Sequence, residues 1–393
     1  MLAGRYDATA MLSVAGGLAA TFPWMAQNPT MALGAMLATA GGASWLTFKQ
    51  LVEYTDPTDL KSREDFIIKS DEPFPNCMGA EGIRLGYTKD LNLAVDLSND
   101  IASRHICITG QSGVGKTVLG EYLLEQQTVR GGGWLFVDAK LDFDTRNRLA
   151  YLAAQCGRAD DFYVLNPGEP DNSNTYNPIL DGSGEEVASR LLNLIPSTDN
   201  NPGADHYKQT ANQALMCLVN VLKQANRRYH FEDLTVLLQS PRAMEDLARL
   251  ADPNSGEARA FAVFIDQYRV PTKDGPSQID MKKVKDAFGG IAGRMALFSQ
   301  GNFGKIFNSL TPEINLYDII RDGKMLYVML PTMASDNAAL NLGKMIISDL
   351  RSAVAKIQGL PEHKRPNPCF LAFLDEMGSY VMPGVARLFD QAR

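Results

Sequence analysis

Gly110-Gln111-Ser112-Gly113-Val114-Gly115-Lys116-Thr117 stands between the apolar run His105-Ile106-Cys107-Ile108-Thr109 and a helical stretch beginning at Val118. Strand, glycine loop and helix in that order are the arrangement of a phosphate-binding loop. The glycines let the backbone curl until successive N–H groups point inward at the α- and β-phosphates, and the helix that follows adds its positive N-terminal end. Lys116 is placed to reach the β- and γ-phosphates, and the Thr117 hydroxyl to hold Mg²⁺. The stretch predicts a nucleoside triphosphate site with ATP and Mg²⁺ as its cofactors. The bland alternative, a glycine-rich turn, leaves the strand-loop-helix context unexplained.

A loop of this kind needs carboxylates from a neighbouring strand, and Cys369-Phe370-Leu371-Ala372-Phe373-Leu374-Asp375-Glu376 supplies the best candidate. An apolar run ending in two acids reads as a buried strand that delivers charge at its carboxyl edge. Asp375 is expected to bind Mg²⁺ through its water shell, and Glu376 to polarise the attacking water as general base. Phosphoryl transfer asks a protein mostly for positioning and charge neutralisation, so these few groups suffice. The competing reading is a strand that ends in a solvated acidic turn. An intact phosphate loop upstream weighs against it.

The two half-sites lie about 260 residues apart, well over twice what a minimal nucleotide-binding core needs, so something is inserted. Residues 184–304 have that character, with helical periodicity at 185–194, 206–225, 231–238 and 243–250 and no convincing strand. Ser240-Pro241 reads as an N-cap followed by proline at the first helical position. Outside the insert, apolar β-type runs fall at 105–109, 134–138, 162–165, 325–330 and 369–374. Their alternation with helices predicts an α/β fold with a parallel, doubly wound sheet. Loops are expected at 198–203, 271–276 and 359–368.

From 8 to 48 the chain carries no Asp, Glu, Lys or Arg. Residues 8–26 and 31–48 each approach the length that crosses a bilayer core, with Gln27-Asn28-Pro29-Thr30 as the turn. Trp24 and Trp45 fall near opposite membrane faces, and Gly34, Ala38 and Gly42 form a small-residue stripe suited to close helix contact. Arg5 precedes the pair and Lys49, Lys61 and Arg63 follow it, which puts both ends in the cytoplasm. Alanine, glycine and threonine dominate, so the hydropathy is weak. A cleaved signal peptide and a peripheral or buried helical hairpin are the alternatives.

The formal charge of −7 belongs to the part after Phe48. A globally basic nucleic-acid binder is excluded, and DNA contact would need local patches or a channel formed by assembly. Lys282, Lys283 and Lys285 form one such patch and Arg227-Arg228 another, although each reads more simply as a solvated helix face. The cysteines at 77, 107, 156, 217 and 369 show neither metal-ligand pairs nor a disulfide framework. Cys107 and Cys369, inside apolar runs, are expected to be buried small hydrophobes in a reducing compartment.

The combination of an N-terminal hairpin, the loop Gly110 to Thr117, Asp138-Ala139-Lys140, Tyr176-Asn177-Pro178-Ile179-Leu180-Asp181, a helical insert and Phe370 to Glu376 resembles the membrane-anchored coupling ATPases of type IV secretion systems. The loop alone is common to a large superfamily; the order of the pieces is what carries the resemblance. It implies a RecA-like P-loop motor at the bacterial inner membrane, multi-pass, with the bulk of the chain cytoplasmic, acting as a homo-hexamer. The parts would be a transmembrane hairpin over 1–48, a juxtamembrane linker and the start of the motor over 49–100, motor segments at 101–183 and 305–393, and the all-helical insert at 184–304. Implied partners are secretion-channel components and a relaxase–DNA complex or effector proteins, with single-stranded DNA as a contact. Each ATP site would lie between subunits, with an arginine from the neighbour completing it; Arg393 resembles the family's candidate, and Arg387 is the alternative. Asp138 and Lys140 could tune the phosphate site or form an ordinary ion pair or turn. Relatives continue past the equivalent of Arg393 with further strands and a polar sensor, so a C-terminally truncated chain is expected. A septal DNA translocase and a nucleotide-dependent scaffold without motor activity are competing functions.

Overall fold

The computed structural model describes residues 67–69, 82–89, 92–111, 113–195, 202–272, 277–332, 336–381 and 385–391, with Gly275 and scattered positions between 28 and 45. The chain divides into two compact units, 1–73 with 84–98 and 74–83 with 99–393. A small three-stranded sheet at residues 67–98 is formed by β1 (Ile67–Lys69), β2 (Gly82–Tyr87) and β3 (Ala94–Ser98) in the order β1-β3-β2. Arg84 and Asp96 form a buried, two-pronged ion pair across it, with donor–acceptor distances of 2.8 and 3.1 Å.

The larger unit is built on a parallel sheet of β4 (Trp134–Asp138), β5 (Phe162–Leu165), β8 (Met325–Met329) and β9 (Leu371–Leu374) in the order β5-β8-β4-β9. Trp134-Leu135-Phe136-Val137-Asp138 and Met325-Leu326-Tyr327-Val328-Met329 are buried throughout, as strands covered on both faces must be. Their alternate side chains serve two layers. Trp134, Phe136, Met325 and Tyr327 pack with Leu124 and Leu149 of helices α1 (Lys116–Val129) and α2 (Phe143–Gln155). Leu135, Val137, Leu326 and Val328 pack into the opposite core, with Leu342 and Ile346 of a long helix at Asp336–Gln358. The strands expected at 134–138 and 162–165 are present in this sheet, that at 325–330 runs over Met325–Met329, and that at 369–374 begins two residues later, at Leu371.

Between β5 and β8 the described chain carries eight α-helices: α3 (Gly184–Leu192), α4 (Pro202–Gln224), α5 (Phe231–Leu237), α6 (Pro241–Leu250), α7 (Gly256–Asp266), α8 (Met281–Ser299), α9 (Gly301–Phe307) and α10 (Leu316–Arg321). Ser183 and Glu186 close a reciprocal capping box on α3, and the Ser240 hydroxyl accepts from the Ala243 N–H with Pro241 in the first turn of α6. A two-residue hairpin, β6 (Arg269–Val270) with β7 (Gln278–Ile279), interrupts the helices where no strand was expected. The turn Tyr176-Asn177-Pro178 is stapled to its surroundings. Asn177 donates to the carbonyls of Tyr229 and Ser309, Tyr176 donates to Asp349 at 2.7 Å, and the buried Arg190 of α3 bridges Asp349 and the Pro178 carbonyl. This motif ties α3 and the turn to the long helix that carries Asp349. The helix Asp336–Gln358, α11, leads to β9, and α12 (Val385–Gln391) ends the described chain.

Two expectations fail. Residues 105–109 form no strand: the segment pairs with none of the strands of the four-stranded sheet and is largely exposed, and His105 at its start takes φ 70°. Cys107 is consequently exposed and Cys369 only half-buried, instead of both lying in the core. The first hairpin segment, 8–26, lies outside the described residues. The described positions between 30 and 45 are helical, and Met31, Leu33, Leu37 and Trp45 are exposed there. Among the described residues no helix is long and apolar enough to cross a membrane.

One close approach positions the site. A Cβ on Gly120 would lie 2.2 Å from the Phe373 ring, so α1 rests on β9 only because position 120 has no side chain. Gly120→Ala is expected to lower stability by about 1–3 kcal/mol through overpacking, read as a lower denaturation midpoint. An unchanged midpoint would show that helix and strand are not held in this contact.

Candidate nucleotide site

The loop from Gly110 to Thr117 lies exposed at the N-terminus of α1. Gly113 and Gly115 take φ 83° and 94°, in the left-handed region that residues with a Cβ avoid, and Gly115 is the N-cap residue. The first N–H groups of α1 therefore remain available at an open surface. Lys116 Nζ folds back and donates to the carbonyls of Gly110 and Gln111 at 2.9 and 3.0 Å. Ser112 lies outside the described residues.

Asp375 and Glu376 follow β9 directly. The Asp375 N–H extends the ladder to the Val137 carbonyl at 3.1 Å, which fixes its height at the carboxyl edge of the sheet. Its side chain is buried, 4 % exposed, and the Thr117 hydroxyl donates to Oδ2 at 3.2 Å across 258 positions of sequence. Glu376 turns outward through φ 51°, so its half-exposed carboxylate sits beside that of Asp375. Tyr380, fully buried, donates its hydroxyl to the Asp375 carbonyl at 2.8 Å and pins the turn. Burial, followed by the Asp375 charge, pushes the Tyr380 phenol well up, so it stays a donor.

The third element is the turn after β4. Asp138 is buried, and its carboxylate accepts from the N–H groups of Lys140 and Asp142 at 2.7 and 2.6 Å and from the Tyr327 hydroxyl at 3.0 Å. Burial and the Asp138 charge push the Tyr327 phenol far up. Asp142 then caps α2 through Thr145. Partial burial opposes the charge this capping favours, yet the Asp142 carboxyl is held below its usual range by the Thr145 hydrogen bonds. Asp138 is thus an organiser of the turn, the plainer of the two sequence readings. It aims Lys140, whose Nζ lies 3.0 Å from Asp375 Oδ2, 3.4 Å from Thr117 Oγ1 and 3.5 Å from Glu376 Oε1. Desolvation opposes the charge on Lys140, and the hydrogen bond and charge of Asp375 outweigh it, holding the ammonium above its ordinary value. Glu121 on α1 and Arg148 on α2 form a two-pronged ion pair at 2.6 and 2.8 Å that braces the helices.

Lys116, Thr117, Asp375 and Glu376 are thereby brought together. Thr117 and Asp375 present hard oxygen donors around a cationic group, the donor chemistry that Mg²⁺ takes alongside water and phosphate oxygens. Arg393 lies outside the described residues, as does the side chain of Arg387. Sequence reasoning did not foresee Tyr380, Tyr327 or the meeting of Lys140 with the carboxylates. Only the Asp-Ala-Lys turn gave a signal, and its destination depends on the neighbouring strand. Lys282 and Lys283 are solvated beside Asp280, whose side chain caps α8, and Arg228 donates to the Leu310 carbonyl.

No protein-family model matches the chain. Over 409 aligned residues it is 26% identical to the type 4 coupling protein DotL of Legionella pneumophila subsp. pneumophila (strain Philadelphia 1), covering 91% of this chain and 51% of that protein. The chain thus spans about half the length of this curated relative. Among solved structures, the unbound monoclinic form of the bacterial conjugative coupling protein TrwBdeltaN70 matches with a TM-score of 0.48 at 15% identity, over 72% of this chain and 59% of that one. The plasmid coupling protein TrwB with the non-hydrolysable ATP analogue ADPNP matches with a TM-score of 0.45 at 15% identity, over 80% and 68%. TrwB with ADP and Mg²⁺ gives 0.45 at 14% identity, over 79% and 68%.

Asp138→Ala leaves the N–H groups of Lys140 and Asp142 without their acceptor and the Tyr327 hydroxyl with only the Asp142 carbonyl. A loss of about 2–3 kcal/mol in unfolding free energy is expected, measured by chemical denaturation; a change within about 0.5 kcal/mol, the range of a neutral surface substitution, would contradict the organising role.

Proposed function

We propose that this chain, similar in sequence to a type 4 coupling protein, binds and hydrolyses ATP with Mg²⁺ to feed a DNA–relaxase substrate into a type IV secretion channel. The observation that carries the reading is the meeting of Thr117 with Asp375, 3.2 Å apart although 258 positions separate them, at the mouth of a glycine loop. That is the geometry in which a phosphate loop and a strand-end carboxylate share one cation.

The backbone N–H groups of the loop and the start of α1 would cradle the α- and β-phosphates, and Lys116, released from the Gly110 and Gln111 carbonyls, would neutralise the β- and γ-phosphates. Thr117 would hold Mg²⁺ directly and Asp375 through its water shell, the ion supplying charge neutralisation on the phosphoryl oxygens. Glu376, outside the buried pair yet beside it, would orient water and accept its proton. The loop is an open surface, with Val114 63% exposed, which supports completion of the site by a neighbouring subunit. In a homo-hexamer Arg393, or Arg387, would supply that charge. The exposed apolar residues between 31 and 45 support anchorage at the inner membrane through the hairpin over 1–48.

A second reading, export of effector proteins, is favoured by one observation. The chain carries −7 net charge, and its basic pairs are solvated or tied to carbonyls instead of forming a stripe for a phosphate backbone.

Lys116→Ala is expected to weaken nucleotide binding at least about 100-fold, and Glu376→Gln to leave binding intact while slowing turnover by about 10²–10⁴-fold. Equilibrium titration and steady-state hydrolysis, with and without single-stranded DNA, check both. Retained affinity in the first variant would remove the loop from the site, and full turnover in the second would place the base elsewhere. Stimulation by DNA supports the DNA substrate; indifference to DNA supports protein cargo.

A further inference from the structure

Asp375 is a nearly buried carboxylate that must meet a positive charge or be costly to hold ionised. Lys116, the lysine a phosphate loop would offer, is turned away to the Gly110 and Gln111 carbonyls. The charge comes instead from Lys140. Its ammonium stands within 3.0 Å of Asp375 Oδ2 and 3.4 Å of Thr117 Oγ1, the two oxygens that flank the expected metal position, and within 3.5 Å of Glu376 Oε1. The backbone below it is fixed on every side. Lys140 N–H and Asp142 N–H are held by the Asp138 carboxylate, the Ala139 carbonyl accepts from the Thr332 hydroxyl at 2.8 Å, and Leu141 takes φ 60°. The stem starts from a rigid turn while the head remains about half exposed, with open solvent to move into.

From this placement we infer that Lys140 is the resident cation of the metal site: it holds Thr117 and Asp375 together when metal is absent, steps out when metal enters, and lets the site accept nucleotide without metal. The inference rests on the nucleotide-binding reading above. A Mg²⁺ on Thr117 Oγ1, with its water shell against Asp375 Oδ2, would need the space in which the Lys140 ammonium now stands, and the like charges repel, so ion and ammonium exclude each other there. When only a nucleotide arrives, the ammonium is already beside the loop as a counter-charge for the phosphates. A lysine, with a flexible stem and a compact charge, can make this exchange.

The test is titration of the full chain with fluorescently labelled ADP in EDTA and again in magnesium chloride, for the unaltered chain, Lys140→Met and Lys140→Arg. Lys140→Met is expected to weaken metal-free binding about tenfold while leaving the magnesium-dependent affinity equal or tighter, and Lys140→Arg to restore metal-free binding. A purely structural lysine would shift both conditions by the same factor, and that result, or no shift in either, overturns the inference. Nucleotide binding by the unaltered chain in both conditions keeps the parent reading intact in that case. If the unaltered chain binds in neither condition, the parent reading fails and this one with it. Should Lys140→Met fail to fold by circular dichroism, Lys140→Gln carries the same comparison.

Discussion

Helix α1 can bring Thr117 to Asp375 only because Gly120 leaves room for the Phe373 ring. Everything chemical in the larger unit depends on that contact. Phe373 belongs to β9, whose register against β4 is fixed from Trp134–Leu371 to Val137–Leu374, so the strand cannot slide to relieve a clash. With α1 seated, the loop, the strand-end carboxylates and the turn after β4 converge at one edge of the sheet. This is where open α/β sheets gather their ligand groups, since loops from adjacent parallel strands emerge together there.

The site's electrostatics follow from the same placement. Three carboxylates stand close at this edge, and each is handled differently. Asp138 is consumed by backbone N–H groups and Tyr327, Asp375 by a hydroxyl and an ammonium, while Glu376 is half exposed. Distinct environments of this kind separate roles that the bare sequence Asp-Glu does not. Helix α3 and the Tyr176-Asn177-Pro178 turn are fastened to helix α11 by a buried polar knot of Arg190, Asp349 and Tyr176. Burial raises the Asp349 carboxyl and the Tyr176 phenol, and it is the pairing among them that makes the burial tolerable.

Much of this was legible in the sequence, for local reasons. The glycine loop, the apolar runs of β4, β5, β8 and β9 and the caps at Ser183 and Ser240 are each specified by neighbours a few positions away. Asp375 and Glu376 were legible because a buried strand ending in acids is a local pattern with a partner to be expected upstream. What could not be read depends on distant sequence. His105 to Thr109 is apolar and β-like, yet a strand exists only where another strand pairs with it, and no described strand pairs with this segment. Lys140 reaches Asp375 across 235 positions, and no spacing announces that. Tyr380 pins the strand end through a turn whose left-handed residue, Glu376, is not a glycine and so gave no warning.

The claim at the centre is that the loop from Gly110 to Thr117 and the Asp375 carboxylate hold one Mg²⁺–nucleotide between them. An experimental structure with a non-hydrolysable ATP analogue and Mg²⁺ tests it most directly. The account predicts phosphates on the loop, Mg²⁺ at about 2.1 Å from Thr117 Oγ1 with water between it and Asp375, and Lys140 Nζ withdrawn from both. Nucleotide bound away from the loop, or metal held without Thr117, would contradict it.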